Sequence, residues 1–153
     1  MGIGLGALLE ERYPLPEWAL IFELSKGTGW SGQEGRCDAA AFNCYPSKGY
    51  HRLAFEMKTG RGDFLKELDT PKKRAWLEEN FHQTYFVCVP GIAKEEEVPD
   101  GWGLLVESRS GDKLRRVKVA RHRELPPLPE SLALSASRTW LNRTSRCIFR
   151  QSS

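Results

Sequence analysis

Residues 54 to 58 read Ala54-Phe55-Glu56-Met57-Lys58, an acid and a base two positions apart in a run that is otherwise apolar from Leu53. Side chains of a strand alternate between its faces, so a strand here sends Leu53, Phe55 and Met57 into a core and sets Glu56 and Lys58 side by side on the other face. Upstream, Asp38 opens the small-residue run Asp38-Ala39-Ala40-Ala41-Phe42-Asn43. Between the two runs lies Tyr45-Pro46-Ser47-Lys48-Gly49, a turn in which proline fixes one φ and glycine permits a positive one. The runs are therefore expected to pair antiparallel and to bring Asp38 near Glu56 and Lys58. Two carboxylates and an ammonium in one small site are a set that holds a divalent cation and activates a water beside a phosphodiester. The plainer alternative is an exposed ion pair on an edge strand, worth about 0–1 kcal/mol and without function.

Outward from this centre the pattern is that of an α/β domain. Leu5 to Tyr13 reads as a short helix with Leu5, Leu8 and Leu9 on one side, ended by Pro14 and Pro16. Trp18 to Leu24 fits a strand, with Trp18, Leu20, Phe22 and Leu24 on one face, although so short an apolar run also fits a helix starting at Pro16. Gly27 and Gly29 supply the turn, and the loop from Gly27 to Arg36 leads to the Asp38 strand. After Lys58, Asp63 is expected to cap a helix that buries Phe64, Leu65 and Leu68, and Thr70-Pro71 to open another through Trp76 and Leu77 to about Phe81. Gln83 to Val89 is a continuous apolar strand of a sheet interior. Glu95-Glu96-Glu97 is a solvated face. Trp102 to Glu107 and Leu114 to Val119 form a hairpin around Arg109-Ser110-Gly111-Asp112, and in its second strand Val117 and Val119 alternate with Arg116 and Lys118, making one face basic. Pro126, Pro127 and Pro129 break the pattern. One domain, residues 1–125, is expected, followed by a tail, 126–153, that is weakly ordered or a short helix around Ser131 to Leu141.

The 153 residues are 40% hydrophobic with five Trp, four Tyr and seven Phe, enough for one core. A formal charge of +3 does not by itself indicate nucleic acid, so a basic footprint must come from clustering. Two clusters exist: Lys72, Lys73 and Arg74, and seven bases against one acid between Arg109 and Arg123. Either is a solvated face in most proteins, but beside a metal-phosphate site such groups neutralise phosphates. Cys37, Cys44, Cys88 and Cys147 show no CxxC spacing, which argues against zinc and for reduced thiols. The apolar start, Met1 to Leu9, meets Glu10, Glu11 and Arg12 without a basic leader, and no run approaches the ~18 apolar residues of a membrane span, so a soluble cytoplasmic protein is expected. His51, His82 and His122 have no nucleophile partner and read as structural, surface or phosphate-contacting. Ser31 and Ser47 lie in turns and give no sign of a serine nucleophile. Trp30 and Tyr50 flank the central strands and can stack on a base, though packing is the plainer role.

The order helix, strand, strand with Asp, strand with Glu-x-Lys, helix, strand resembles the PD-(D/E)XK nuclease superfamily. The wider text carries the likeness further: Gly27-Thr28-Gly29-Trp30, Arg36-x-Asp38-Ala39, Tyr45-Pro46-Ser47-Lys48-Gly49, Phe55-Glu56-Met57-Lys58, Asp63-Phe64-Leu65-x-Glu67-Leu68, Pro71-x-Lys73, Val89-Pro90 and Trp102-Gly103-Leu104-Leu105. Together these are similar to a phage and bacterial branch near MmcB-like and VRR-NUC nucleases, over about residues 8 to 125. The resemblance implies a restriction-endonuclease-like fold, a mixed central sheet flanked by helices. It also implies a Mg²⁺ site, with Mn²⁺ able to substitute, held by Asp38, Glu56 and the carbonyl of Met57, and Lys58 acting on the attacking water. Cys37 stands where the family name has proline. A further acid near the metal falls on Glu10, Glu11 or Glu23. The expected function is a Mg²⁺-dependent DNA endonuclease of repair, recombination or phage DNA processing, in a bacterial or phage-infected cell, structure-selective in the manner of Holliday junction resolvases. Lys48, Arg61, Lys72, Lys73, Arg74, Arg116 and Lys118 are the DNA-contact candidates, and by analogy with junction enzymes a homodimer is expected. The alternative is a catalytically idle module that binds nucleic acid or a repair partner through the same surface.

Overall fold

In a computed structural model, residues 4–25 and 35–151 are described, those from 143 onward by their backbone alone. The stretch around Glu56 forms β3 (Arg52–Lys58), third of the six strands that the described residues form in one mixed sheet of order β1-β2-β3-β4-β5-β6. β2 (Arg36–Asn43) runs antiparallel to β3, with Ala39 opposite Phe55 and Ala41 opposite Leu53. The connection is the expected turn: a 3-10 segment, Pro46–Lys48, closed by Gly49 at φ 65°, which glycine tolerates without strain. β1 (Trp18–Ser25) is antiparallel to β2. On the other side β4 (Gln83–Cys88) is parallel to β3 and to β5 (Gly103–Glu107), so its apolar run is buried from Thr84 to Cys88. β6 (Leu114–Lys118) closes the far edge antiparallel to β5.

The parallel step from β3 to β4 needs a crossover, supplied by α2 (Arg61–Leu68) and α3 (Pro71–Asn80) on one face of the sheet. Phe64, Trp76 and Leu77 from these helices pack on Ala54, Phe86 and Leu104. α1 (Leu5–Arg12) covers the opposite face, setting Leu5, Leu8 and Leu9 against Ala39, Leu53, Phe55 and Val87. Each such side chain withdrawn from water contributes about 1.5–3 kcal/mol. The sheet is thus buried on both faces, as expected for a mixed α/β domain.

Several local readings change. α2 begins two residues before Asp63, because extended Gly60 is its N-cap and accepts the Phe64 N–H at 3.1 Å; Asp63 lies in the first turn, where its charge complements the helix dipole. Leu65 is 40% exposed, the buried positions of α2 being Phe64 and Glu67. Val117 and Val119 are 36% and 60% exposed, because β6 is an edge strand and the β5–β6 register shifts at Leu104/Leu105; Leu114 is the side chain of β6 that reaches the core.

The largest change is at the C-terminus, where α4 (Glu130–Gln151) replaces the weakly ordered tail or short helix. The prolines end the preceding segment but do not forbid a helix after them: the Pro129 carbonyl accepts the N–H groups of Leu132 and Ala133. Leu132 and Ala136, four apart on one helix face, enter the same core cluster as Trp76 and Phe86, and Ser135 Oγ donates to the Ser25 carbonyl at 2.7 Å. The boundary expected after residue 125 therefore does not separate two packing units. Among the described residues no helix is long and apolar enough to cross a membrane.

Candidate functional site

Asp38 sits where two strands change face. Phe22 pairs with Ala39 and Leu24 with Cys37, yet Phe22 and Ala39 pack on the α1 side of the sheet while Leu24 and Cys37 pack on the other. A regular strand returns to the same face after two residues. The reversal falls at Glu23, whose φ of 56° is in the left-handed region that non-glycine residues seldom enter. Leu24 consequently does not share a face with Trp18, Leu20 and Phe22. Asp38, opposite this twist, borders two clefts: one of about 370 Å³ with Glu23, Arg36, Cys37 and Lys73, and one on the α1 side with Glu10, Phe22, Glu23 and Met57. Its Oδ2 accepts the Met57 N–H at 2.8 Å, just beyond the last β2–β3 pair, and so stands in for a ladder bond.

Glu56 lies on the α2–α3 face of β3 and is 1% exposed. An exposed pair on an edge strand is thereby excluded, since the strand is central and the carboxylate is inside. Its Oε2 accepts from Lys73 Nζ at 3.1 Å, while Oε1 has no hydrogen-bond partner among the described residues. Glu67 of α2 joins from the side, 2.7 Å from Lys73 and 3.7 Å from the ammonium of Lys58 through the same Oε1. The Lys73 contact is an ion pair by distance, although its angle falls outside hydrogen-bond geometry.

Burial pushes the Glu56 carboxyl well above the ordinary carboxylate range, and the charge of Asp38 adds to this while Lys73 opposes it. The repulsion between Asp38 and Glu56 acts in the same direction as burial, and desolvation is the larger cause. Burial also disfavours a charged Glu67, but its close contacts with Lys73 and Glu56 and the charges of Lys73 and Lys58 outweigh it and hold its pKa below the usual value. The Cys37 thiol is raised well above its ordinary value by burial, then by Glu56 and Asp38, which keeps it protonated.

Asp38, Glu56 and Lys58 are thus gathered at one end of β3, and the structure adds Glu67 and Lys73 to them. Lys73 was expected on the DNA side; its side chain is 12% exposed and turned inward. The signal for Glu67 was its position three residues after the buried Phe64, on the same helix face. Of the further acids, Glu10 and Glu23 border the Asp38 clefts, whereas Glu11 is exposed and borders neither. Among the described residues no three His, Cys, Asp or Glu side chains stand ready as a metal-ligand group.

The DNA-contact candidates divide. Lys48, Lys72 and Arg116 are exposed. Arg61 is held bidentate by Glu97, Lys118 donates to the carbonyls of Val98 and Pro99, and Arg74 donates to the carbonyls of Glu67 and Leu68 at the end of α2. Glu97, read as part of a solvated run, is therefore an ion-pair partner. Trp30 lies outside the described residues, and Tyr50 is exposed beside the 3-10 turn.

The sequence separates the three histidines, but the fold stacks them, with ring centroids 4.9 to 5.3 Å apart. Their hydrogen bonds fix two tautomers. The Arg52 N–H donates to His82 Nδ1, so the proton of neutral His82 is on Nε2. Gln83 Nε2 donates to the Ala120 carbonyl, which leaves its Oε1 to accept from His51 Nε2. A ligand needs an unprotonated nitrogen facing the metal, so His82 is unsuited to ligate through Nε2.

No model of a known protein family and no curated protein matches the chain. Among solved structures it is similar to the SPO1766 protein of unknown function from Silicibacter pomeroyi, at a TM-score of 0.70 and 16% identity over 99% of this chain and 92% of that one. The likeness is one of fold, and it spans α4 as well as the sheet.

Proposed function

We propose that this chain is a Mg²⁺-dependent DNA endonuclease, active in repair, recombination or phage DNA processing and selective for branched structure, of the PD-(D/E)XK kind that its motifs resemble. One observation carries the reading: Asp38 borders a solvent-open cleft together with Lys73, and Lys73 reaches the buried Glu56 on the adjacent strand, one of whose oxygens has no hydrogen-bond partner among the described residues. A buried carboxylate oxygen without a donor is costly unless something positive completes it.

The donor chemistry fits a hard divalent cation. Asp38, Glu56 and the Met57 carbonyl offer oxygen, and the nearby Cys37 thiol is held protonated and out of the ligand set, which favours Mg²⁺ or Mn²⁺ over Zn²⁺. Such a site needs only one or two carboxylates, the remaining positions being water and substrate phosphate. When bound, the cation supplies the charge that acidifies a water and polarises the phosphoryl oxygens. Asp38 holds the β3 backbone at Met57 in place. Lys58, bound to Glu67 only at 3.7 Å, is available to a phosphoryl oxygen as negative charge develops there.

The basic edge has a suitable distance. Lys58, Cys88, Val106 and Arg115 are in register across four strands, as are Met57, Val87, Leu105 and Arg116. Three strand spacings set these arginines roughly 14 Å from the site at the same level of the sheet, a distance that one duplex can bridge.

The test is cleavage of plasmid and four-way-junction DNA by the full chain with Mg²⁺, Mn²⁺ and EDTA. Metal-dependent cleavage is expected, lost in Asp38→Ala and Glu56→Ala; no cleavage with either cation would discard the reading. The network itself favours a second reading, an idle nucleic-acid-binding module, because Lys58 and Lys73 balance Glu56 and Glu67 without any metal ion. In that case the same samples bind DNA and leave it intact.

A further inference from the structure

A cation already holds Glu56. The ammonium of Lys73, from the first turn of α3, stands between Glu56 Oε2 at 3.1 Å and Glu67 Oε1 at 2.7 Å. Lys73 also borders the cleft that contains Glu23, Arg36 and Asp38. A divalent cation entering by that cleft meets Lys73 on its way to Glu56, and two cations cannot share one buried carboxylate without strong repulsion. We propose that Lys73 is a built-in counter-cation that competes with the divalent cation for Glu56, and that Glu67 is the carboxylate that keeps Lys73 when Glu56 is taken. The inference rests on the reading of Asp38 and Glu56 as metal ligands and adds a threshold to it.

The geometry suits an exchange. Glu67 is the nearer of the two partners, so Lys73 gives up only the longer contact when Glu56 turns to the metal. Glu67 is also anchored: its backbone carbonyl accepts from Thr70 Oγ1 at 2.8 Å and from Arg74 at 3.4 Å, which pins the end of α2 where the carboxylate is carried. Charge balance holds in both states. With all groups ionised, Asp38, Glu56 and Glu67 face Lys58 and Lys73, one negative charge over; a divalent cation makes it one positive charge over. Neither state leaves a large net charge inside, so the site can persist without metal and still accept it.

A purely structural ion pair and a competing counter-cation differ in the sign of two substitutions. Lys73→Met keeps an unbranched chain and removes the competitor, so Mn²⁺ should bind more tightly, by roughly the tenfold that one nearby opposite charge imposes on a carboxylate. Glu67→Gln removes the alternative partner, leaves Lys73 to Glu56 alone, and should weaken Mn²⁺ binding. Isothermal titration of Mn²⁺ into wild type and both variants reads this, with thermal melts to verify folding. If Lys73→Met does not melt cooperatively, the Glu67→Gln result alone decides. Tighter binding in the first with weaker binding in the second supports the proposal. A wild type that binds Mn²⁺ while Lys73→Met binds equally or less well, or Glu67→Gln no less well, overturns it and leaves the nuclease reading standing. No Mn²⁺ binding in any of the three overturns both.

Discussion

At Glu56, burial and the charge of Asp38 favour the protonated acid, and Lys73 alone favours the carboxylate. A ligand role for Glu56 and a transition-state role for Lys58 separate in experiment. Lys58→Ala is expected to lower kcat by about 10²–10³-fold and to leave DNA affinity unchanged, since a charge aimed at the developing phosphoryl oxyanion acts mainly in the transition state. Glu56→Ala should abolish Mn²⁺ binding as well; equal Mn²⁺ affinity in calorimetry would contradict its role as ligand. His82 gives a prediction away from the site. Burial first, then the charges of Arg52, His51 and His122, lower its pKa to about 4 from an unfolded value near 6.5. Between those values the unfolded chain binds more protons, so stability should fall as pH drops from about 6.5 towards about 4. Physically, a protonated Nδ1 would point its hydrogen at the Arg52 N–H. His82→Gln keeps an acceptor that does not titrate, and its melting temperature should depend less on pH between 7 and 5; an equal slope would assign the effect elsewhere. Strand alternation made Glu56 and Lys58 legible as neighbours. The stack of His51, His82 and His122 was not legible, because the proximity depends on the parallel β3–β4 pairing and on the segment after β6, both long-range.

Elements differ in how much of them local sequence determines. The apolar run of β4 and the Tyr45–Gly49 turn were readable because burial on both faces and a positive φ leave direct marks on composition. The inward face of β6 was not, since alternation says nothing about which strand is at the edge or where a register shifts. Gly103 shows the same dependence on neighbours: a Cβ there would run into the Tyr85 ring and stand 2.8 Å from the Ala120 nitrogen, so Gly103→Ala should cost about 1–3 kcal/mol in denaturant unfolding, and a neutral result would mean that β5 shifts freely. For DNA binding, β6 is best tested at Arg115 and Arg116, because Lys118 is engaged with loop carbonyls. Arg115→Ala with Arg116→Ala should weaken binding to all sequences alike and reduce the log-log salt slope by nearly two units, about 0.9 per lost phosphate contact. An unchanged slope would remove this strand from the interface and leave the carboxylate site untouched.

For the whole molecule, the question is whether the chain ends, mechanically, at residue 125 or at α4. A polar, serine- and arginine-bearing sequence after three prolines carries little sign of packing, because the few side chains that matter are spaced one helical turn apart among residues that face water. In the fold, Leu132 and Ala136 sit over β1 together with Ile21, and Ser135 closes a hydrogen bond to the last residue of that strand. β1 is one of the two edge strands of the sheet and carries Glu23, opposite Asp38, so what steadies β1 also steadies the entrance to the carboxylate site. Removing residues 126–153 should therefore expose apolar surface on β1, lower the melting temperature by several degrees, and weaken Mn²⁺ binding even though no proposed ligand has been deleted. Leu132→Ala, which leaves the chain at full length, should reproduce part of the loss, about 2–5 kcal/mol for a buried leucine. A 1–125 fragment that melts and binds Mn²⁺ like the full chain would show that α4 is dispensable to the fold, and that the division first read from the prolines is the right one.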